Sequence, residues 1–383
     1  MSLSGAMIPC TPDVSDAATA LALGEDYIYN YNPRTTLAKW RAALAKVRLG
    51  TSDAKIMCCG DSTTFGKGSA ADATTGTAGS YPRRLAQILN LNTLNPSFLG
   101  LAVTNTASSP DSRWAMGAGW SRYSGVGIGN ISFYKTLSSA GDLVFTPTVA
   151  SGPTITTDSF EIYVLHYSSQ GTATITATGG TPVNVPSGLS ASIVKYTAAP
   201  LARLSTNAVT ITKTGAGNCW VLGIEPIDTT IKSVRVANAG VSSTQLVGSW
   251  DQSGNVYDSS DCIVAYAPDL TIISLGINDA TAGTVTAAAY STALQILITA
   301  AKTSGDVILM SPYPSTGASI LAFESAYGDV MRSLAITNNC IYFDLFNYFG
   351  ATNPGTPFDS GDSVHPSSSG YYDIAQAISR YLI

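Results

Sequence analysis

Histidine and charged side chains are scarce in this chain of 383 residues. It has two histidines, His166 and His365, and Asp, Glu, Lys and Arg together make up 12% of the residues. Two distant histidines without a clustered Glu or Cys disfavour the usual zinc site, so neither a metal nor another cofactor is expected. The formal net charge of -5 argues against nucleic acid or an anionic membrane as the main partner, because both require a basic face.

Long apolar runs and a basic leader are also lacking. No stretch approaches the length that spans a bilayer, and no basic segment followed by a long apolar one opens the chain. The low charge and the abundance of Ser, Thr, Ala and Gly are unusual for a cytosolic enzyme. We therefore expect an extracellular or virion protein, such as part of a phage tail. The six cysteines lack a repeating spacing and are expected to be small buried hydrophobes.

One apolar run, Ile56 to Cys59, stops abruptly at a turn made by Gly60, Asp61 and Ser62. A short apolar run bounded in this way predicts a central strand that carries a serine at its carboxyl end. In an open α/β sheet, ligands bind at that end of the strands. Ser62 is therefore placed where a nucleophile would be needed.

The rest of the chain shows two different sequence patterns. From residue 233 onward, apolar strands alternate with amphipathic helices, which predicts a parallel sheet covered on both faces. Between residues 130 and 229, short runs rich in β-branched and aromatic residues predict an inserted all-β sandwich of the jelly-roll type. The expected organisation is an N-terminal arm at 1–32, a discontinuous α/β domain at 33–129 and 230–383, and the insert at 130–229.

Residues suited to serine chemistry stand at the strand ends of the α/β domain. Ser62 would attack an acyl group, His365 would take and return its proton, and Asp362 would orient the imidazole. The backbone N–H groups of Ser62 and Gly240, with the side-chain amide of Asn278, would stabilise the oxyanion. Because parallel strands end at one edge, these distant residues can converge there.

Four stretches carry a family resemblance. In chain order they resemble the four sequence blocks of the SGNH (GDSL-type) hydrolases, although Thr63 stands where the family name has Leu and Gly240 is recognised only by its place after an apolar strand. The resemblance covers about 55–130 and 233–383, and it implies a three-layer α/β/α flavodoxin-like esterase fold with Ser, Gly, Asn and His in the roles just given. The four stretches are Gly60-Asp61-Ser62, Asn238-Ala239-Gly240, Gly276-Ile277-Asn278-Asp279 and Asp362-Ser363-Val364-His365.

Several residues have alternative interpretations. Asp279 could brace its loop without touching substrate, and Asp359 rivals Asp362 as the partner of His365. His166 alternates with apolar residues on its strand, so a packed or sugar-facing structural histidine is expected there. Aromatic side chains usually pack, but some could stack on sugar rings. The candidates for sugar stacking are Trp120 and Tyr313, with Trp114 and Trp250 beside them.

The leading hypothesis is a serine esterase that removes O-acetyl groups from a carbohydrate through an acyl-enzyme. The resemblance implies the esterase, and members of the family with such inserts include carbohydrate deacetylases, some of them on phage tail spikes. The expected partner is an acetylated polysaccharide, and a tail-spike setting would imply a homotrimer. One alternative is a lipase or thioesterase of the same family for longer acyl chains. Another is a glycan-binding virion protein with an inactive hydrolase domain.

Overall fold

The computed structural model describes residues 27–69, 79–89, 98–99, 113–124, 128, 131–135, 141–148, 154–188, 190–200, 202–251 and 259–383. The predicted N-terminal arm lies outside the described residues up to residue 26. No helix in the described part of the chain has the length and apolarity needed to cross a membrane.

The strands of the described residues are, in chain order, β1 (Ile28–Tyr29), β2 (Ala54–Gly60), β3 (Phe98–Leu99), β4 (Trp114–Met116), β5 (Trp120–Ser124), β6 (Ile131–Lys135), β7 (Leu143–Phe145), β8 (Ser159–His166), β9 (Ala173–Ala177), β10 (Val183–Val185), β11 (Ser192–Ala198), β12 (Val209–Lys213), β13 (Cys219–Ile227), β14 (Val234–Gly240), β15 (Leu270–Ser274), β16 (Asp306–Met310) and β17 (Ile341–Phe343). The helices are α1 (Ala38–Arg48), α2 (Ser62–Phe65), α3 (Tyr81–Leu89), α4 (Ser259–Tyr266), α5 (Ile277–Ala282), α6 (Ala287–Lys302), α7 (Ala318–Thr337), α8 (Leu345–Tyr348) and α9 (Ser368–Leu382).

The central sheet of the described residues has seven strands in the order β1-β17-β16-β15-β2-β14-β3. Strand β2 is an interior strand and pairs in parallel with β14 and β15. Strand β1 is antiparallel to β17 at one edge. This antiparallel edge was not expected from the sequence, whereas the parallel arrangement of β2, β14, β15, β16 and β17 is confirmed.

Strand β2 shows why the sheet forms the middle layer. Ile56 and Cys58 pack in one hydrophobic cluster together with residues of α1, α3 and α9, and Met57 and Cys59 pack in another together with residues of α4, α6 and α7. Side chains that alternate between two buried faces require helices on both sides of the sheet. The five cysteines of the described residues are buried, as expected for small hydrophobes, and burial raises the pKa of the Cys58 thiol.

Strands β4 to β13, from the middle of the chain, form two antiparallel sheets. Within the described residues, one has five strands in the order β10-β9-β12-β7-β4, and the other has five in the order β11-β8-β13-β6-β5. Side chains from both sheets meet in a third hydrophobic cluster. The first of these strands begins at Trp114, ahead of residue 130, and the domain boundary at 130 stays a prediction.

Strand β8 is buried on both of its faces. Phe160, Ile162 and Val164 point into the cluster between the two antiparallel sheets. Tyr163 and Leu165 point the other way and join the cluster on one face of the central sheet. The second antiparallel sheet therefore covers part of the central sheet, in a place where α/β folds usually have a helix.

An ionic network also crosses this boundary. Arg235 of β14 is 7% exposed in its side chain and pairs with Glu161 of β8 at 2.6 Å and with Glu225 of β13. Asp53 lies 3.7 Å from the same guanidinium, and Lys195 of β11 binds Glu161 at 2.8 Å. Burial alone would raise the pKa of Glu161, but Arg235 and Lys195 lower it to about 2. These charges hold the second antiparallel sheet against the central sheet.

Candidate active site

The register of the central sheet brings the predicted site residues to one edge. Gly60 at the end of β2 stands beside Gly240 at the end of β14 and beside Ser274 at the end of β15. Because these strands are parallel, the segments that follow them leave the sheet on the same side. Those segments begin with Asp61 and Ser62, with Val241, and with Leu275.

The serine stands at the first position of a single helical turn. Asp61 caps this turn, and its Oδ1 accepts hydrogen bonds from the Thr63 N–H at 2.9 Å and the Thr63 hydroxyl at 2.8 Å. The turn ends at Gly66 in the left-handed conformation, with φ of 104°. Burial raises the pKa of Asp61 to about 6, against these hydrogen bonds. Cap and glycine together fix the backbone that carries Ser62.

Gly240 allows this turn to approach the sheet. A Cβ at Gly240 would lie 2.2 Å from the Phe65 nitrogen and 2.6 Å from the Thr64 carbonyl carbon, both backbone atoms of α2. Gly60 is similarly crowded, because its Cβ would lie 2.5 Å from the Ser274 carbonyl oxygen. Both positions exclude a side chain because neighbouring backbone occupies the space.

The structure brings Ser62, His365 and Asp362 into one line of hydrogen bonds. The Ser62 Oγ is 2.8 Å from His365 Nε2, and His365 Nδ1 is 2.6 Å from Asp362 Oδ2. Ser62 and His365 are each 5% exposed, whereas the Asp362 side chain is 44% exposed. In this geometry the imidazole can accept the hydroxyl proton while the carboxylate holds its other nitrogen.

The loop that carries Asp362 and His365 is a braced hairpin. Asp359 pairs with Pro366 in an isolated bridge, and Ser360 N–H donates to the His365 carbonyl at 2.9 Å. The Asp359 carboxylate accepts the Gly361 N–H at 2.6 Å rather than a hydrogen of the imidazole. Asp362, not Asp359, is therefore the carboxylate that contacts His365.

Local hydrogen bonds set the charges of this pair. Partial burial would raise the pKa of Asp362, but the backbone N–H and side chain of His365 and the Val364 N–H lower it to about 2. Burial lowers the pKa of His365 below its usual value, although Asp362 opposes this. Near neutral pH the carboxylate is thus charged and the imidazole neutral, as a base requires.

The expectation for Gly240 as an oxyanion donor does not fit this arrangement. Its N–H already donates to the Asn238 Oδ1 at 2.9 Å, and the Val241 N–H donates to the Gly60 carbonyl at 2.8 Å. The sequence reasoning quoted Asn238 without giving it a role, although an amide two residues before a glycine is a common way to hold a turn. Gly240 therefore allows α2 to pack closely against the sheet. The candidates for the oxyanion donor expected at Gly240 are instead N–H groups of the loop that follows it.

Asn278 does lie at the expected edge. Its Nδ2 donates to the Thr244 carbonyl at 2.8 Å, and an amide nitrogen carries a second hydrogen for a ligand. Asp279 is buried and accepts the Leu246 N–H at 2.8 Å and the Val247 N–H at 3.0 Å. Asp279 therefore braces a loop, but this is the loop that follows β14 rather than its own.

The aromatic candidates are buried rather than open to a ligand. Trp120 is 6% exposed, packs in the cluster between the antiparallel sheets, and donates to the Gly141 carbonyl at 3.2 Å. Tyr313 is 1% exposed and packs edge-on against Phe349. Neither ring offers a face to a sugar, so both expectations are wrong. Burial against core neighbours outweighs what an aromatic residue in a loop suggests.

His166 is a packed histidine, as expected. It is 1% exposed, and its Nε2 lies 2.9 Å from the Tyr196 hydroxyl. Trp114 and Trp250 are also buried. In the described residues no group of three or more His, Cys, Asp or Glu side chains is arranged to hold a metal ion.

Comparison with known proteins gives a family match for part of the chain. The model of the GDSL-like Lipase/Acylhydrolase family matches residues 228–372, a range that includes Asn278, Asp362 and His365. Ser62 precedes this range, and its 2.8 Å contact with His365 joins it to the matched part. These findings support a serine ester hydrolase that has a GDSL-like segment at residues 228–372. A search of curated protein sequences finds no significant match.

Solved structures show how far the fold of this chain is shared. A structure described as a peptidoglycan O-acetylesterase matches with a TM-score of 0.67 and 15% identity, over 93% of this chain and 99% of that chain. An acetylxylan esterase from Geobacillus stearothermophilus matches with a TM-score of 0.32 and 23% identity, over 39% of this chain and 73% of that chain. A lipase/acylhydrolase from Enterococcus faecalis gives 0.32 and 21%, over 39% and 75%. The first likeness concerns the fold alone, because the identity is only 15%. The other two, with TM-scores of 0.32, support no conclusion about this chain.

Proposed function

We propose that this GDSL-like hydrolase removes O-acetyl groups from a carbohydrate through an acyl-enzyme formed on Ser62. The observation that carries the proposal is the continuous line from the Ser62 Oγ through His365 to Asp362, with contacts of 2.8 and 2.6 Å. The Ser62 oxygen attacks the ester carbonyl, and its proton passes to His365 Nε2. His365 returns this proton to the leaving sugar oxygen, and water repeats the sequence to release acetate.

Three N–H donors at the carboxyl edge of the central sheet would stabilise the oxyanion. We assign the Ser62 N–H and the second amide hydrogen of Asn278 to this role. The third donor comes from the loop after Gly240, whose Ser243 has a left-handed φ of 68°. Asn278 and Asp279 hold this loop through Thr244, Leu246 and Val247, so the donor would be in place before substrate arrives.

The carbohydrate part of the proposal rests on architecture. A structure of the same overall fold is described as a peptidoglycan O-acetylesterase. We further propose that the two antiparallel sheets form a β-sandwich inserted in the hydrolase and that they shape the cleft for a polymer. The setting that we propose is extracellular or on a virion, with a homotrimer if the chain is part of a tail spike.

A series of p-nitrophenyl esters from acetate to decanoate tests the acyl preference. The proposal expects the highest kcat/KM at acetate. A maximum above butyrate would contradict it and favour a lipase or thioesterase. No ester hydrolysis at all, with glycan binding retained, would favour the glycan-binding protein with an inactive hydrolase domain.

A further inference from the structure

A pocket outside the line of catalytic residues opens between α3 and α9. Its volume is about 460 Å³, within the range of small-molecule sites. We propose that it binds one sugar residue of the polysaccharide whose neighbouring residue carries the acetyl group at Ser62; this rests on the proposed deacetylation. The residues that line it are Arg84, Phe358, Ser368, Ser369, Tyr372 and Asp373.

The pocket lies at the base of the hairpin that carries Asp362 and His365. Phe358 comes just before this hairpin and Ser368 just after it, and the Ser367 N–H donates to the Phe358 carbonyl at 2.7 Å. The two strands of the hairpin are closed by the bridge between Asp359 and Pro366. A ligand in the pocket would therefore contact the same short segment that positions His365.

Tyr372 gives the pocket a flat and fixed apolar surface. The residue is 48% exposed, and its hydroxyl oxygen accepts a hydrogen bond from the Gln376 Nε2 at 2.8 Å. A ring held by such a bond loses little freedom when a ligand stacks on it. The C–H face of a pyranose is the kind of surface that such a ring binds.

The other lining groups suit hydroxyls rather than a charge or an acyl chain. Arg84 and Asp373 bring one positive and one negative charge to the same pocket, and Ser369 adds a hydroxyl. The Arg84 guanidinium is held in place by its Nη1, which donates to the Gln87 Oε1 at 3.1 Å. Sugar hydroxyls both donate and accept, so they can pair with this mixed set.

The test compares a polymer with a small ester. Acetate release is first measured on acetylated xylan, pectin, bacterial capsular polysaccharide and peptidoglycan, and the best of these is used with p-nitrophenyl acetate as the reference. For Tyr372→Ala, the ratio of kcat/KM on the polymer to that on p-nitrophenyl acetate should fall by about tenfold, mainly through KM. Asp373→Asn should lower the same ratio and serves if Tyr372→Ala fails to fold.

Tyr31→Ala is the matched control. Tyr31 is also an exposed tyrosine, at 37%, but its ring packs on Tyr381 near the C-terminal end of α9, whereas the pocket is lined by the first turns of that helix. This control should leave both rates unchanged. A ratio that stays unchanged in both pocket variants overturns the sugar subsite. So does hydrolysis of p-nitrophenyl acetate without acetate release from any of the polymers, which leaves the esterase standing. Loss of both activities in the wild-type protein overturns the proposed function itself.

Discussion

Replacement of Arg235 by Met should destabilise the whole chain more than any surface charge change. The Arg235 side chain is 7% exposed and neutralises Glu161 and Glu225, whose side chains are 14% and 0% exposed. Met keeps an apolar stem but leaves these carboxylates without their main cation. Removing one partner of a buried pair costs about 3–5 kcal/mol, because the remaining charge is buried and uncompensated. We expect a loss of that size in the free energy of unfolding at pH 7.

Lys195→Met is the matched control for this prediction. It also removes a cation from Glu161, but the Lys195 side chain is 42% exposed, so the expected cost is about 0–1 kcal/mol. Urea unfolding of the three proteins, followed by circular dichroism, measures both values. Because the folded-state pKa of Glu161 is lowered to about 2, its contribution is present above its ordinary pKa and is lost as the pH falls toward 2. Equal losses in the free energy of unfolding of the two variants at pH 7 would refute the idea that the buried ionic network holds the second antiparallel sheet against the central sheet.

Two further predictions concern the active site. Since burial lowers the pKa of His365 and only the neutral imidazole can act as base, kcat/KM for p-nitrophenyl acetate should fall on the acid side with a midpoint below 6.5; a midpoint at or above this value would contradict the assignment. Gly240→Ala keeps the backbone N–H but forces its Cβ against the backbone of α2, so we expect kcat to fall by about 100-fold and stability by about 1–3 kcal/mol. Gly317→Ala is the control for that variant, because a Cβ at Gly317 would meet only side-chain atoms of Ile320, at 3.0 Å or more, and no backbone. Equal behaviour of the two variants would show that the crowding at Gly240 is unimportant.

Local patterns were enough to predict the parallel strands of the central sheet and the meeting of Ser62 with His365. The apolar run from Ile56 to Cys59, bounded by Gly60, predicted a buried central strand, and it is one. Ser62 after this strand and His365 before the last helix meet because parallel strands end at one edge. These features depend on hydrophobic periodicity and on chain direction, and both can be inferred from the sequence alone.

What the sequence could not predict depends on contacts between distant segments. Strand β8 looks like half of an ordinary sandwich, but its second face is buried because Tyr163 and Leu165 meet the central sheet. Gly240 follows a strand as an oxyanion donor would, but its N–H is taken by Asn238 and its missing side chain makes room for α2. Tyr313 is an aromatic residue in a loop near the site, but Phe349 covers it.

The role of Ser62 as nucleophile is tested most directly by the hydrolysis of p-nitrophenyl acetate by the wild-type protein and by Ser62→Ala. Ser69→Ala is a suitable control, because it removes a hydroxyl that donates to the Gly66 carbonyl in the same loop. We expect the rate of Ser62→Ala to fall by at least about 1000-fold, while Ser69→Ala keeps most of the wild-type rate. Equal rates for the wild-type protein and Ser62→Ala would contradict the assignment of Ser62 as the nucleophile of this hydrolase.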